Sequence, residues 1–540
     1  MTAALLLGPV LRHVGETDAT VWVETSHPCT VDVLGHRERT WTVAGHHYAL
    51  VVIEGLEPGS TTSYSVHLDD APVWPMPIGG PPSVIRTLRE GARFDVVFGS
   101  CRFATQTATV SDDNYEADAL DAYARRMATQ PPEQWPDALV LLGDQVYADE
   151  LSPQTAARVA DRHDVSQEPG EQVRNFEEYT WLYAESWSDP EVRWLLSTLP
   201  TSMIFDDHDV RDDWNTSQSW RDEMEATSWW EERIVGALSS YWVYQHLGNL
   251  SPSALADNDL YRRVRECDGD AEPLLRRFAS NADEEADGAK GTQWSYRRDF
   301  GPVRLLVVDS RCGRVLAGGR RSMVSDAEFE WIEQQTEGSY DHLLVGTSLP
   351  WLLPRVLHDL EAWNEQLASG VRGPRLARWA EWIRRGADLE HWAAFRESFD
   401  RLSALFAEVG RGADAPATIC VLSGDVHHAY AAQAHYPGGL SSRVYQLTCS
   451  PLHNFVPPAM RVAFRASWSR FAERLSRGLL RPLAAMPPVP LEWSRLTGPF
   501  FGDQVATLRL DGRAAQVTFE QASKDAAGVP RLRGITRLGL

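Results

Sequence analysis

Cysteine is scarce in this chain. Its 540 residues hold six, Cys29, Cys101, Cys267, Cys312, Cys420 and Cys449, all far apart and with no Cys-x-x-Cys pair. In a chain of this size that spacing speaks against a disulfide scaffold. Cys420 and Cys449 lie in apolar, strand-like runs and read as buried thiols, whereas Cys101 ends a strand and precedes Arg102. Positive charge is also in deficit. Lys and Arg number 52 against 75 Asp and Glu, a formal net charge of −23, which argues against a nucleic-acid groove with its basic face. A phosphate substrate stays open, because bound cations would dominate the field at its site. No apolar run reaches the length of a membrane span. The N-terminal Met1-Thr-Ala-Ala-Leu-Leu-Leu-Gly-Pro9 lacks the basic start and long apolar stretch of a signal peptide. The chain is therefore expected to be cytoplasmic. It has no internal repeat and no low-complexity tract.

The composition, 43% hydrophobic and 24% charged, is that of a globular protein long enough for a large core and two or more domains. The 21 Trp are read as core and pocket lining rather than as a carbohydrate platform. Residues 1–88 carry short, regularly spaced strand-like runs separated by turns, among them Ala19–Glu24, Thr30–Leu34, Tyr48–Ile53 and Ser63–Leu68, the pattern of a small all-β sandwich. Its turn Gly55-Leu-Glu-Pro-Gly-Ser60 before Tyr64 resembles that of fibronectin modules, and Pro72–Pro82 is the expected linker. From Phe94 onward longer apolar strands alternate with helical stretches at 114–130, 171–198, 221–247 and 356–410, and two strands near 504–511 and 514–521 close the chain. That is α/β patterning, and it assigns residues 89–540 to a second domain.

Four apolar runs in this second region end on metal-seeking side chains. They close on Gly99-Ser-Cys-Arg102, Gly143-Asp-Gln-Val-Tyr-Ala-Asp149, Asp206-Asp-His-Asp209 and Ser423-Gly-Asp-Val-His-His428. Each tail is placed at a strand's C-terminal edge, where α/β sheets hold their sites. Pooled, they supply a thiol, a phenol, carboxylates and imidazoles, the donor set of a binuclear metal centre and hence of a metal-dependent phosphoesterase. Asp144 has two oxygens and can bridge two cations. Tyr147, three residues later, is an uncommon ligand suited to a hard ion such as ferric iron. The adjacent carboxylates Asp206 and Asp207 repel and call for a cation, with Arg211 meeting part of the need. That leaves His208 free to act on substrate. Asp425 and His427, at i and i+2, can point the same way, with His428 pointing elsewhere. Each of these residues taken alone also fits an ordinary packing or turn role.

Residues 461–481 are locally basic, with Arg461, Arg465, Arg470, Arg474, Arg477 and Arg481 against Glu473 alone. Trp468, Phe471, Leu475 and Leu479 fall at helical spacing. A packed surface helix is the plain reading. A basic lid over the site, or a weak membrane-surface contact, is the other.

Taken in order, and with Asp309-Ser-Arg311 added, these segments resemble the alkaline phosphatase D (PhoD-like) family of calcineurin-like metallophosphoesterases. They are similar also to purple acid phosphatases, which share Gly-Asp-x-x-Tyr and a preceding β-sandwich. The resemblance runs over roughly residues 1–525. It implies a small fibronectin- or immunoglobulin-like sandwich followed by a four-layer α/β/β/α domain. It matches Cys101, Asp144, Tyr147 and His427 to the pocket of a ferric ion, and Asp144, Asp207 and Asp425 to a pocket for calcium or another divalent cation. His208 matches the substrate-side His. Arg102 departs from the usual pattern; it is open to a catalytic contact with substrate phosphate or to a structural salt bridge. The Asp309-Ser-Arg311 segment is read as structural. The implied activity is hydrolysis of phosphate mono- or diesters by a metal-activated water. The alternatives are a diesterase specific for phospholipid, nucleotide or wall-polymer esters, and a non-catalytic metal-containing binding protein.

Overall fold

The computed structural model describes residues 2–75, 80–89, 91–104, 116–284, 292–469, 471–474 and 488–540. The N-terminal region is two antiparallel four-stranded sheets. One orders the strands Leu5–Val14, Asp18–Thr25, His46–Glu54 and Trp41–Val43; the other orders His36–Arg39, Thr30–Val33, Val66–Leu68 and Ala71–Trp74. The two-residue period of the first sheet is divided between two cores. Val21, Val23, Val51 and Ile53 pack into the sandwich, while Trp22, Tyr48 and Leu50 pack into the core of the rest of the chain. This explains why these strands read as nearly continuous apolar runs instead of alternating ones.

Polar contacts seal the same junction. The buried Arg12 donates to the carbonyls of Tyr244 (3.1 Å) and Gln245 (2.6 Å) and to Asn249 (3.0 Å). His46 sits between Glu24 (3.0 Å) and Glu177 (2.8 Å). The expected strand Ser63–Leu68 is two strands. Thr61–Ser63 leaves to pair with Val84–Arg86, because Tyr64 turns inward and its hydroxyl donates to the Ser197 carbonyl at 2.6 Å. The expected linker from Pro72 begins inside the sandwich, since Ala71–Trp74 pairs with Val66–Leu68; residues 76–79 lie outside the described residues.

The second region is built on two mixed sheets. The first runs Thr201–Ile204, Ala138–Leu142, Phe94–Gly99, Gln504–Asp511, Ala514–Lys524 and Pro530–Gly539. The second runs Tyr296–Phe300, Val303–Val307, His342–Gly346, Thr418–Ser423, Arg443–Thr448, Ala429–His435 and Glu492–Phe500. Three neighbouring strands of the first sheet and four of the second are parallel, and all of these are buried along nearly their whole length. The sheets share one core, in which Phe94 stacks on Phe300 with ring centroids 4.6 Å apart. Helices cover the outer faces. Phe399, Leu402 and Phe406 of helix Arg396–Val409 pack on Leu343, Val345 and Val421 of the second sheet, for example.

The helical stretches are more divided than the sequence pattern suggests. Residues 171–198 form helices Phe176–Trp187 and Pro190–Thr198, interrupted where Asp189 caps the second by accepting from the N–H of Glu191 and Val192. Residues 356–410 form three helices, Arg355–Ala368, Pro374–Gly386 and Arg396–Val409. The closing strand Pro530–Gly539 was not expected. Its arginines keep it largely solvated at the sheet edge, so it lacks an apolar signature. In the basic stretch, helix Pro458–Ser467 is described; Arg470 and residues 475–481, with Leu475, Arg477, Leu479 and Arg481, lie outside the described residues.

Candidate metal centre

Seven parallel strands, three from the first sheet and four from the second, end at a common edge, and their following loops interlock. The Cys101 N–H donates to the Gly143 carbonyl (3.2 Å) and the Arg102 N–H to the Asp144 carbonyl (3.0 Å). Across the sheets, the Asp425 N–H donates to Ser100 Oγ (3.1 Å), and within the second sheet the Gly424 N–H donates to the Ser348 carbonyl (2.8 Å). Two glycines make this approach possible. A Cβ at Gly143, whose φ is +105°, would lie 2.5 Å from the Asp206 Cβ, and one at Gly424 would lie 1.8 Å from Ser100 Oγ.

Backbone strain gathers here as well. Cys101 (φ +56°), Asp144 (+51°), Asp425 (+63°) and His427 (+49°) are all left-handed. Each such residue costs about 1–2 kcal/mol relative to an ordinary conformation. Glycine would relieve the strain, but a side chain stands at each position. Asp209 holds the loops in this geometry. Its Oδ2 accepts from the N–H of Asp144 (3.0 Å) and Asp206 (2.8 Å), its Oδ1 from those of Gln145 and Val146 (both 3.2 Å). Burial pushes its carboxyl up to about 7 while the four donors pull it down. With both oxygens already accepting, the anion is the form that fits.

Inside this frame lies a nest of carboxylates. Oxygens of Asp144, Asp206 and Asp207, all three residues buried, lie within 4.8 Å of one another. Asp144 Oδ1 and Asp206 Oδ2 are buried without a hydrogen-bond partner among the described residues. Burial, and then the neighbouring Cys101 and Asp206, drive Asp144 well above the usual carboxylate range. Burial does the same to Asp206 against the pull of Arg311. The Cys101 thiol donates to Asp144 Oδ2 at 3.2 Å, and burial followed by Asp425 raises it to about 12. A cation would offset the buried negative charge behind these shifts, and the orphaned oxygens fit one.

Arg311 supplies part of the compensation. Fully buried, it pairs with Asp206, with Asp207 (3.1 Å) and with Glu390 (2.5 Å), and lies 3.8 Å from Asp425. Arg211, expected to help, points instead to Gln172 (3.1 Å) and lies over the ring of Trp229. Asp425 is fixed by His391, whose two ring nitrogens face Asp425 (3.0 Å) and Glu361 (2.7 Å). His427 makes no side-chain hydrogen bond among the described residues, and burial lowers it to about 4, leaving the neutral imidazole that a metal requires. His428 is buried, with Nδ1 on the Val426 carbonyl at 2.6 Å.

Tyr147 and His208 form one wall. Their ring centroids are 4.9 Å apart, and the Tyr147 hydroxyl accepts from Asn454 at 2.9 Å. His208 donates through Nδ1 to Asp149 (3.0 Å), which also accepts the Asp212 N–H (2.6 Å). Beside it opens a cavity of about 820 Å³, lined among others by Asp149, Arg211, Asp212, Arg378 and Trp382. Arg102 points the other way. Buried, it pairs with Asp118 (2.8 Å) and donates to the Ser186 carbonyl (2.6 Å), which is the structural salt bridge rather than a contact at the open face.

Of the expected residues, then, Cys101, Asp144, Tyr147, Asp207, His208, Asp425 and His427 are on the loops at this edge, and Arg102 is turned behind them. Asp206 and Asp209 belong to the cluster that the sequence marks as calling for a cation, although neither is singled out there as a ligand; Arg311 is read as structural, and His391 is not read at all. Asp309-Ser-Arg311 carried the available signal, a polar tail closing the apolar run Val303–Val308. His391 follows no strand and carries none.

This arrangement, two packed mixed sheets with a buried carboxylate nest at a shared strand edge, defines an α/β domain with a candidate metal site. A family model described as PhoD-like phosphatase matches residues 107–467, and another, described as domain of unknown function DUF7800, matches residues 2–85. The chain belongs to the PhoD-like phosphatase family, which makes it a phosphoesterase. A solved structure described as a structure of PhoD shares the fold, with a TM-score of 0.57 at 12% identity over 98% of this chain and 92% of that one. No curated protein matches the chain.

Proposed function

We propose that the chain hydrolyses phosphate esters at a centre of two metal ions. A ferric ion would be held by Cys101, Asp144, Tyr147 and His427, and calcium or another hard divalent ion by Asp144, Asp207 and Asp425. The observation that carries this reading is the trio Asp144, Asp206 and Asp207, buried together, with Asp144 Oδ1 and Asp206 Oδ2 lacking a hydrogen-bond partner among the described residues. Phenolate and carboxylate donors favour hard cations over zinc. When bound, such a pair supplies Lewis acidity toward the phosphoryl oxygens and an activated water for in-line attack.

The chain's own residues do the rest. Asp209 and Gly143 set the Asp144 loop, His391 orients Asp425, and Arg311 moderates the repulsion between Asp206 and Asp207. His208 is held by Asp149, and the acidic partner of its other nitrogen among the described residues is Asp212, 3.9 Å away. From there it can stabilise the transferring phosphoryl group and hand a proton to the leaving oxygen. Arg102 has a positioning role, anchoring the Cys101 loop to Asp118. The cavity beside His208 favours substrates with a second substituent, and so a diesterase activity beside the monoesterase one.

The reading is tested by assaying nitrophenyl mono- and diesters alongside elemental analysis of the protein as purified. Iron plus a hard divalent ion is expected, and Asp144→Ala should lose metal and abolish turnover while remaining folded. Near-normal hydrolysis by Asp144→Ala would sink the shared-carboxylate centre.

A further inference from the structure

Eleven large hydrophobic side chains are exposed among the described residues, and eight of them fall in two short segments. Val371, Leu376, Trp379 and Trp382 belong to helix Pro374–Gly386 and the turn before it, with Trp382 left 73% exposed. Phe455, Met460, Val462 and Phe471 belong to helix Pro458–Ser467 and its flanks.

Both segments are basic in a chain whose net charge is −23. In the first, Arg372, Arg375 and Arg378 are exposed and have no acidic partner among the described residues. In the second, Arg465 lies over the Phe501 ring, and Arg461 donates to the Val456 carbonyl beside a small pocket that it shares with Glu116 and Asp503; neither arginine forms a salt bridge among the described residues. Along the first helix, Arg375, Arg378, Trp379 and Trp382 stand three, four and seven residues apart, so aromatic and cationic groups share one outward face.

Both segments also adjoin the candidate centre. Arg378 and Trp382 line the cavity beside Asp149 and Asp212, the neighbours of His208. Phe455 follows Asn454, which donates to the Tyr147 hydroxyl.

We infer that these two helices form a docking surface for an anionic lipid bilayer, laid against the mouth of the centre. Trp and Arg suit the interface in particular. The ring enters the acyl–headgroup boundary while the guanidinium stays among the phosphates. Net charge is no obstacle, because fields beyond about 10 Å are screened at ordinary ionic strength, leaving the local arginines to meet the surface. Bound this way, the centre faces phosphoesters presented by the bilayer itself.

The test is co-sedimentation of the full chain with vesicles, which reads binding without turnover and so stands or falls apart from the phosphoesterase reading. Vesicles with roughly one-third phosphatidylglycerol should retain the protein, and pure phosphatidylcholine vesicles should do so poorly. Arg372→Gln with Arg375→Gln should weaken binding to the anionic vesicles roughly 25-fold, at about 5-fold per charge. Leu376→Ser with Trp379→Ser should weaken binding to both. Hydrolysis of a soluble nitrophenyl ester should be unchanged in both double variants, which also shows that they are folded. The inference is overturned if the wild type ignores anionic vesicles or if neither double variant alters binding. It is also overturned if the wild type self-associates in sedimentation velocity and Leu376→Ser with Trp379→Ser abolishes that, since the face would then belong to a second copy.

Discussion

Asp209 touches neither the open face nor a proposed ion, yet its replacement should disable the centre. Its carboxylate receives four backbone N–H groups from two loops, two on each oxygen. Asp209→Asn keeps the shape but turns one oxygen into an NH₂ group. In either orientation of the amide, two buried donors then face a third. A hydrogen bond to a charged group contributes about 1.5–3 kcal/mol, and losses within one network do not add fully, so the Asn variant should lose roughly 3 kcal/mol. Asp209→Ala strands all four donors, and about 5 kcal/mol is expected, a large share of the stability of an ordinary domain. Urea unfolding reads the loss as a lower midpoint. Because the same donors set the backbone of Asp144 and Asp206, metal content measured on folded protein should fall in parallel, and kcat/KM with it. An Asp209→Asn protein with a wild-type midpoint and full metal occupancy would refute the reasoning. So would one that is destabilised but keeps its metal.

Three further outcomes follow from particular contacts. Tyr147→Phe should abolish a visible tyrosinate-to-iron absorption; a wild type that is colourless and fully active with zinc alone would reject the iron assignment. His208→Ala should slow alkyl phosphate esters far more than nitrophenyl esters, by up to the roughly 10²–10⁴-fold that a general acid supplies, with metal content unchanged; equal losses on both substrate types would remove the proton-donor role. His46 is pulled down by burial but raised overall, to about 9, by Glu177 and Glu24. The folded state therefore holds a proton that the unfolded chain releases near the ordinary value of 6.5. The bridge should stabilise fully below that pH and fade as pH rises through about 9, a slope that His46→Gln should flatten in denaturation curves taken across this range.

The parts of the fold that were legible in the sequence are those whose environment is simple. Strands such as Ala138–Leu142 and Thr418–Ser423, buried on both faces, show as plain apolar runs, and their polar tails mark the sheet edge with Asp144 and Asp425. Where two environments meet, the pattern misleads. Ser63–Leu68 looks like one strand because Tyr64 is apolar enough to continue it, and only the distant Ser197 carbonyl explains the break. Pro530–Gly539 is solvated and does not resemble a strand. At the site, groups carried by motif segments were visible. Arg311 was visible as structural, but not its partners, because its four carboxylate neighbours are spread over more than 200 residues of sequence. Arg102 stays open to two roles in the sequence for the same reason: Asp118 and Ser186, which claim it, are set by the fold and not by its flanking residues.

The pairing of Phe94–Gly99 with Gln504–Asp511 ties the beginning of the second region to residues synthesised about 400 positions later. At typical elongation rates that interval is roughly 20–80 s. Throughout it, the strand that leads to Cys101 has a parallel neighbour on one side and an open hydrogen-bonding edge on the other. An open edge of buried, apolar sequence invites pairing with other chains. A nascent chain released short of its last strands would therefore leave the cradle of the centre half built and its most adhesive backbone uncovered, so this enzyme should depend on chaperones during synthesis more than a domain closed by local pairings does.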